Sequence, residues 1–220
     1  MEALICIFAK PPASGAVKTR LGLPPATARA LAQAFLDDTL ESTALLGWAD
    51  IAIASTAPMD AGVPVLLQGE GDLGARLERV LREALTRAPV AIAIGADAPA
   101  LPARFFEAAR AALQTHDAVL GPADDGGFTL LALRSCPPGL LADLPWSAAE
   151  TAARTLERLR ARGFSTAVLE PWFDVDRPDD LVRLRAAIDA GAIVAPRTLA
   201  VLATLPAMSA ATLPAPGTPR

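Results

Sequence analysis

Three carboxylates stand at two places in the sequence where a metal ion could be held. Asp97 closely follows an all-apolar segment at residues 90–95, and Asp174 and Asp176 lie two residues apart in the segment 173–178. Residues two apart in an extended segment point to the same side. Mg²⁺ and Mn²⁺ take oxygen ligands and typically combine a few carboxylates with diphosphate oxygens. The spacing therefore predicts a divalent-metal site, although Asp176 could equally cap the helix that follows it.

A cationic loop at residues 10–20 (KPPASGAVKTR) follows the first apolar segment of the chain. Lys18 offers a point charge and Arg20 a forked donor, and both suit phosphate. The loop is not a P-loop, because Val17 occupies the position before Lys-Thr where that motif requires glycine. The sequence indicates either a phosphate-binding loop or a solvated basic loop.

A glycine-rich segment at residues 121–127 (GPADDGG) joins two predicted strands. Its glycines permit close approach of the backbone to a ligand. Asp125 could accept a proton from an acceptor or hold its hydroxyl group. Asp-Gly and Gly-Gly are also ordinary hairpin residues, so a simple turn is the alternative.

A dinucleotide-binding interpretation of residues 69–74 (GEGDLG) is not favoured. The segment matches G-x-G-x-x-G. Asp72, however, would place a carboxylate at the helix N-terminus where the pyrophosphate should lie, and the like charges would repel. The interpretation also leaves Lys18 and Arg20 without a role. We predict that Asp72 is a helix N-cap instead.

Apolar runs of strand length alternate with longer segments of helical period, which is typical of α/β layers. The pattern predicts a three-layer sandwich with a mostly parallel mixed sheet, in a single domain over residues 1–205 followed by a flexible C-terminal tail at 206–220. The predicted strands are residues 3–9, 51–55, 63–68, 90–95, 118–121, 128–133 and 165–169. The predicted helices are residues 25–46, 72–88, 102–115, 147–162 and 178–190.

Composition and charge exclude several classes of protein. A net charge of −4 and a pI near 5.1 give no electrostatic reason to bind nucleic acid or an anionic membrane. The sequence has neither the features of a secretory signal nor an apolar run long enough to span a bilayer, so we expect a cytoplasmic protein. Cys6 and Cys136 form no CxxC pair and are expected to be inert, packed thiols.

Taken in order, the motifs resemble a known group of enzymes. The sequence is similar to the radical-SAM/selenodomain-associated transferase family, also called the arsenosugar-biosynthesis glycosyltransferase family, over about residues 3–203. The motifs that carry the resemblance are FAKPP at 8–12, GAVKTRL at 15–21, Gln68 with GDLG at 71–74, GADAP at 95–99, GPADDGGF at 121–128, PWS at 145–147 and DVD at 174–176.

The resemblance implies a glycosyltransferase-A fold, the nucleotide-diphospho-sugar transferase architecture, with Mg²⁺ or Mn²⁺ bridging the donor diphosphate. The implied nucleotide- and phosphate-binding residues are Ala9, Lys10, Gly15, Lys18, Arg20, Gln68 and Asp97. The implied acceptor-binding residues are Asp125, Gly126, Gly127, Trp146 and Ser147. The implied metal ligands are Asp97, Asp174 and Asp176, the last two by similarity to the related 2-phospho-lactate guanylyltransferases.

The expected activity is that of a metal-dependent glycosyltransferase, which moves a sugar from a nucleotide-diphosphate donor to a small-molecule acceptor. Lys18 and Arg20 would stabilise the leaving diphosphate, and Asp125 would be the catalytic base if transfer inverts the sugar. The alternative is a nucleotidyltransferase of the guanylyl or cytidylyl type, which acts on a nucleoside triphosphate and a small phosphorylated or carboxylated acceptor. A third possibility is a binding protein without turnover. We expect a monomer or homodimer.

Overall fold

The computed structural model describes residues 2–12 and 17–205 of the 220-residue chain. Its strands are β1 (Ala3–Ala9), β2 (Ala49–Ser55), β3 (Val65–Leu67), β4 (Ala91–Gly95), β5 (Ala118–Pro122), β6 (Phe128–Leu133) and β7 (Thr166–Val168). Its helices are α1 (Pro25–Ala44), α2 (Leu73–Ala84), α3 (Ala103–Ala112), α4 (Thr151–Ala161), α5 (Pro178–Asp189) and α6 (Pro196–Leu202), and a 3₁₀ turn covers Thr19–Leu21.

The strands of the described residues form one sheet in the order β3-β2-β1-β4-β6-β5-β7. β6 runs antiparallel to both of its neighbours, β4 and β5, whereas the other pairs are parallel. The carboxyl ends of β1, β2, β4 and β5 therefore meet at one edge, where β6 also begins. In open α/β sheets this is the edge at which ligands bind.

Strand β1 shows how the sheet separates two cores. Ile5 and Ile7 pack in a cluster that contains side chains of α1 and α3, whereas Leu4 and Cys6 pack on the opposite face with side chains of α2 and α4. Successive strand residues point to opposite faces, so a sheet covered by helices on both faces needs apolar residues at every position. The predicted three-layer sandwich with a mostly parallel mixed sheet is confirmed.

A third cluster of buried residues holds the segment that carries the second acidic pair. Phe173 and Val175 pack there against side chains of α1, α5 and α6. Because these two residues alternate with Asp174 and Asp176 in sequence, burying them turns the two carboxylates away from the cluster. The apolar residues thus set the direction of the acids between them.

The observed elements follow the predicted ones closely, with differences at the ends of helices and of several strands, such as β2, which begins at Ala49, and β3, which covers only Val65–Leu67. β1 and β6 have the predicted bounds. α4 begins at Thr151 rather than at residue 147, because Ser147 has a φ of 59° in the left-handed region and cannot belong to the helix. α6 was not predicted, since seven residues are too few to show a helical period.

The predicted N-cap of α2 is confirmed. The Asp72 carboxylate accepts a hydrogen bond from the backbone N–H of Ala75 at 2.8 Å. The N-terminus of this helix is therefore occupied by a side chain of its own, which is incompatible with a pyrophosphate at that position. This contact argues against the dinucleotide-binding interpretation of residues 69–74.

Both cysteines are buried, and burial raises the pKa of each thiol to about 12. They are therefore unreactive thiols at neutral pH, as the sequence predicts. Among residues 2–12 and 17–205, none of the helices combines the length and the apolar character that a bilayer span requires. The tail predicted at residues 206–220 lies outside the described residues, as does Gly15.

Candidate active site

Asp97, Asp174 and Asp176 converge at the carboxyl edge of the sheet. Each offers one carboxylate oxygen, and these oxygens all lie within 4.8 Å of one another. Two backbone hydrogen bonds bring the distant segments together: Ala96 donates to the carbonyl of Phe8 at 3.0 Å, and Val175 donates to the carbonyl of Asp97 at 2.8 Å. The structure thus assembles the three acids that the sequence singled out as metal ligands.

The conformation of the Asp97 carboxylate depends on the glycine at the end of β4. A Cβ added to Gly95 would overlap Oδ1 of Asp97, so the carboxylate occupies the space that a side chain at this position would fill. Gly95 has no positive φ, which means that it is needed for this close approach rather than for a special backbone conformation.

The alternative role considered for Asp176, capping the next helix, belongs to another residue. The carboxylate of Asp180 in α5 accepts hydrogen bonds from the backbone N–H groups of Asp176 and Arg177, at 2.9 and 2.7 Å. Arg177 is the N-cap residue of α5. The carboxylate of Asp176 is therefore not needed as a cap and instead faces the cationic loop.

The carboxylates of the acidic cluster repel one another, which favours the binding of a cation between them. Burial raises the pKa of Asp174 to about 6, and the neighbouring charges of Asp97, Asp125 and Asp176 add to the increase. Carboxylates that repel one another in a partly buried site are stabilised when a divalent cation binds between them. Oxygen ligands of this kind suit Mg²⁺ or Mn²⁺.

Lys18 and Arg20 approach the same cluster from the cationic loop. Lys18 Nζ donates to the carbonyl of Val175 at 2.7 Å, lies 3.5 Å from Asp176 Oδ1, and stands 5.5 Å from the ring centroid of Phe35. Arg20 Nη1 lies 3.4 Å from Asp176 Oδ2. The Lys18 side chain is only 13% exposed, whereas that of Arg20 is 73% exposed. Lys18 is therefore the fixed cation of the site, and Arg20 is the freer one.

A cleft of about 500 Å³ extends from the acids and cations along the ends of β1 and β2. It is lined by most of the residues that the sequence assigned to nucleotide and phosphate binding, namely Ala9, Lys10, Lys18, Arg20, Gln68 and Asp97. Thr56 and Arg76 also line it and were not predicted. Thr56 could have been found from its position just after β2, whereas Arg76 lies inside a helical pattern and carries no such signal.

Gln68 lies at the end of the cleft beyond β3 and is buried. Its side-chain Nε2 donates to the carbonyl of Ala54 at 2.8 Å, and its backbone N–H donates to the carbonyl of Ser55, also at 2.8 Å. The side-chain bond orients the amide, and it leaves the carbonyl oxygen and the second N–H of Nε2 outside the contact with Ala54.

The glycine-rich segment forms a tight loop next to the acids. Asp125 Oδ1 accepts a hydrogen bond from the backbone N–H of Gly127 at 2.8 Å. Gly126 has a φ of 90°, and a Cβ there would overlap the carbonyl of Ala149. The charge of Asp125 contributes to the raised pKa of Asp174, which places this loop at the same site.

Trp146 and Ser147 occupy the turn before α4. The Trp146 ring is half-buried and meets the Phe128 ring edge-on, with centroids 6.2 Å apart. A Cβ added to Gly74 would lie 2.8 Å from Trp146 Nε1, so this glycine permits the indole to pack against α2. Ser147 is exposed. The roles of these two residues and of Gly126 and Gly127 toward an acceptor stay predictions.

Comparison with known proteins gives one curated relative, two similar solved structures and one family model. A curated 3-phospho-D-glycerate guanylyltransferase from Phenylobacterium zucineum (strain HLK1) is 39% identical over 110 residues, which are 47% of this chain and 49% of that relative. The chain thus matches about half the length of this relative. The crystal structure of a proposed nucleotide-diphospho-sugar transferase from Desulfovibrio desulfuricans G20 is 30% identical, covers 92% of this chain and 95% of its own, and has a TM-score of 0.82.

A CMP:2-keto-3-deoxy-manno-octonic acid synthetase solved with CTP is 17% identical, with a TM-score of 0.55 over 87% of this chain and 100% of its own. This likeness concerns the fold alone. Together the structures confirm the predicted nucleotide-diphospho-sugar transferase architecture. The association with radical-SAM proteins or arsenosugar biosynthesis stays a prediction.

The family model described as "Uncharacterized protein conserved in bacteria (DUF2064)" matches residues 26–148. Since this match covers more than half of the sequence, the chain belongs to the DUF2064 family.

Proposed function

We propose that this protein is a metal-dependent nucleotidyltransferase. It would transfer a nucleoside monophosphate from a nucleoside triphosphate to a small phosphorylated or carboxylated acceptor and release pyrophosphate. The observation that carries the proposal is the convergence of Asp97, Asp174 and Asp176 with Lys18 and Arg20 at one end of the cleft. Of the two transferase activities considered from the sequence, this one is supported by the similarity to a guanylyltransferase, and sugar transfer becomes the alternative.

The charges along the cleft suit a triphosphate. Lys10, Lys18, Arg20 and Arg76 line it together with Asp97 and Asp176. A nucleoside triphosphate carries more negative charge than a nucleotide sugar and would use several of these cations at once. With its phosphates at the acids and cations, the nucleoside would extend toward Gln68.

The three carboxylates fit a divalent cation for two reasons. They supply oxygen ligands at close spacing, and their negative charges repel one another. Asp97, Asp174 and Asp176 would hold it. When bound, the cation would neutralise charge on the phosphates. Gly95 would support it indirectly by leaving space for the Asp97 carboxylate.

The chain's own residues would act on the phosphates and on the acceptor. An oxygen of the acceptor forms a bond to the α-phosphorus, the bond between that phosphorus and the α–β bridging oxygen breaks, and pyrophosphate leaves. Lys18 and Arg20 stabilise the negative charge that builds on the leaving group. An acceptor phosphate or carboxylate is already ionised and needs no base, whereas a hydroxyl acceptor would give up its proton to Asp125 as the base.

The experiment that tests the proposal compares donors and their products. The protein is incubated with Mg²⁺ or Mn²⁺, with each nucleoside triphosphate or nucleotide sugar, and with D-3-phosphoglycerate or 2-phospholactate, while pyrophosphate and nucleoside diphosphate are measured. We expect pyrophosphate release, with GTP and D-3-phosphoglycerate as the first pair to try. Release of nucleoside diphosphate from a nucleotide sugar, with no pyrophosphate from any triphosphate, would instead support sugar transfer.

A matched pair of variants connects the reaction to the site. Asp97→Asn should abolish pyrophosphate release. Asp50→Asn, which changes an exposed carboxylate near the opposite end of β2, should leave it unchanged. Equal rates in the two variants would place the reaction elsewhere on the molecule.

A further inference from the structure

We propose that Arg79 is a positioning residue that fixes residues 68–71 in the conformation needed to recognise the nucleobase. The inference rests on the proposed function, because it assumes that a nucleotide occupies the cleft. Arg79 Nη1 donates to the backbone carbonyl of Gln68 and, at 3.1 Å, to that of Glu70. One guanidinium of α2 thus binds two carbonyls of the loop that precedes the helix.

Gly69 allows this contact. Its φ is 69°, and a Cβ there would lie 2.6 Å from Arg79 Nη1 and 2.9 Å from Cζ. The guanidinium therefore packs directly against the α-carbon of the glycine. The loop and the arginine fit each other, since any larger residue at position 69 would displace the guanidinium from the carbonyls.

The direction of the carbonyls determines the direction of the neighbouring N–H groups. In a trans peptide the carbonyl and the N–H of the next residue point in opposite directions, and the described residues contain no cis peptide. With the carbonyls of Gln68 and Glu70 turned to Arg79, the N–H groups of Gly69 and Gly71 point away from it. Arg79 therefore aims two backbone donors at the other side of the loop.

The two sides of the loop face different depressions of the surface. Arg79 lines a groove between α2 and the residues near Gly139, whereas Gln68 and Arg76 line the cleft that contains Asp97. Donors directed away from Arg79, together with the amide of Gln68, which lines the cleft and is oriented by its bond to Ala54, would give an edge with both donors and an acceptor. Such an edge matches a nucleobase, whose own edge combines carbonyl or ring-nitrogen acceptors with N–H donors.

Arginine is suited to this role because its planar fork presents several N–H donors in fixed directions, whereas an ammonium is a point charge on a flexible stem. Arg82, three residues further along α2, offers a comparison. It is exposed and lines the same groove. In the part of the chain that the structure describes, its side chain makes no hydrogen bond or ion pair, so it shares the helix and the charge of Arg79 but not its contacts.

The test separates recognition of the base from binding of the phosphates. Calorimetry with Mg²⁺ measures the Kd of the full chain for each nucleoside triphosphate and for inorganic tripolyphosphate, which has no base. For the preferred nucleotide, Arg79→Ala should raise Kd by about 10-fold, the loss expected for one well-placed hydrogen-bonded contact, and leave the Kd for tripolyphosphate unchanged. Arg79→Lys should restore part of the loss, and Arg82→Ala should match the wild type for both ligands.

Each other result has a defined meaning. An unchanged Kd for the nucleotide in Arg79→Ala, or an equal rise for nucleotide and tripolyphosphate, would overturn the inference. So would a wild-type protein that binds no nucleotide. If the wild type binds a nucleotide but releases no pyrophosphate with any acceptor, the proposed reaction is wrong. The change in Kd for the nucleotide relative to that for tripolyphosphate in Arg79→Ala still decides the role of Arg79.

Discussion

The backbone N–H of Val175 donates to the carbonyl of Asp97 over 2.8 Å. This bond ties the segment after β7 to the end of β4. Val175 is fully buried, so the carboxylates on either side of it face the opposite direction and approach that of Asp97. This hydrogen bond and the buried Val175 side chain thus contribute to the geometry of the acidic cluster.

Gly95→Ala should weaken metal binding while leaving the protein folded. The added methyl group would overlap Asp97 Oδ1, but the backbone of residue 95 has an ordinary φ, so the carboxylate is forced to move and the strand is not. Titration with Mn²⁺ should show a Kd raised by about 10-fold or more, the range seen when the groups that orient a metal ligand are lost.

Asp97→Asn provides the reference for complete loss of this ligand. Far-ultraviolet circular dichroism and urea denaturation should show that Gly95→Ala remains folded. Wild-type affinity for Mn²⁺ in Gly95→Ala would mean that the observed orientation of Asp97 is not the one that binds the ion.

Asp174→Asn should stabilise the metal-free protein at neutral pH. Burial and three acidic neighbours raise the pKa of Asp174 from its usual 3.8 to about 6 in the folded state. A carboxyl group that binds its proton more tightly when folded costs stability once it ionises, so the cost is absent below pH 3.8, grows up to about pH 6 and is complete above it. The neutral amide avoids this cost.

The expected gain, after allowance for solvent screening of a partly exposed group, is about 1 kcal/mol at pH 7.5. Urea denaturation in EDTA at pH 7.5 and at pH 4 measures it, and the gain should shrink at the lower pH. With saturating Mn²⁺ the order should reverse, because only the wild type keeps all three carboxylates. A variant less stable than the wild type in EDTA at pH 7.5 would contradict the assignment of repulsion at this site.

Lys18→Ala should impair nucleotidyl transfer far more than Arg20→Ala. The Lys18 side chain is nearly buried and held by Val175, whereas Arg20 is largely exposed to solvent. A fixed donor aimed at developing charge is worth about 100-fold in rate, and a screened surface charge is worth about 10-fold or less. Rates of pyrophosphate release measure both effects.

Arg29→Ala is the matched control, because Arg29 is an exposed cation of α1. It should retain the wild-type rate. Equal losses in Lys18→Ala and Arg20→Ala would show that the burial of Lys18 has no bearing on the reaction.

The sequence predicts those parts of the site that come directly after the ends of strands. The end of a buried strand is recognisable from its apolar run, and parallel strands bring their carboxyl ends to one edge. That rule located Asp97 after β4, the cationic loop after β1 and the glycine-rich loop after β5. It did not decide whether Asp176 binds a metal or caps a helix, since both functions use the same carboxylate.

The contacts that the sequence did not reveal depend on side-chain directions across distant segments. The carboxylate of Asp180, rather than that of Asp176, accepts the hydrogen bonds from two backbone N–H groups at the start of α5. No spacing rule distinguishes these two acids in advance. Arg79 resembles any exposed arginine of an amphipathic helix until its guanidinium is seen on the carbonyl of Gln68. Such partners are fixed by tertiary packing rather than by local pattern.

Asp38 should prove to be a strong determinant of stability, although it lies in the middle of α1. Its carboxylate is fully buried and accepts hydrogen bonds from the backbone N–H groups of Arg197 and Thr198, at 3.1 and 2.7 Å, at the start of α6. Asp38→Ala would leave the buried N–H group of Thr198 and the partly buried N–H group of Arg197 without this acceptor, at a cost of about 2–4 kcal/mol. Urea denaturation measures the loss.

Asp37→Ala is the matched control. The neighbouring carboxylate of Asp37 accepts an exposed hydrogen bond from Gln33 at 2.7 Å, and its loss should change the free energy of unfolding by about 0.5 kcal/mol or less. Asp38→Asn keeps one side-chain acceptor and should lose an intermediate amount of stability. Because α6 packs with α5 around Val175, Asp38→Ala should also weaken Mn²⁺ binding, and unchanged metal affinity in a folded Asp38→Ala protein would show that the acidic segment is held without α6.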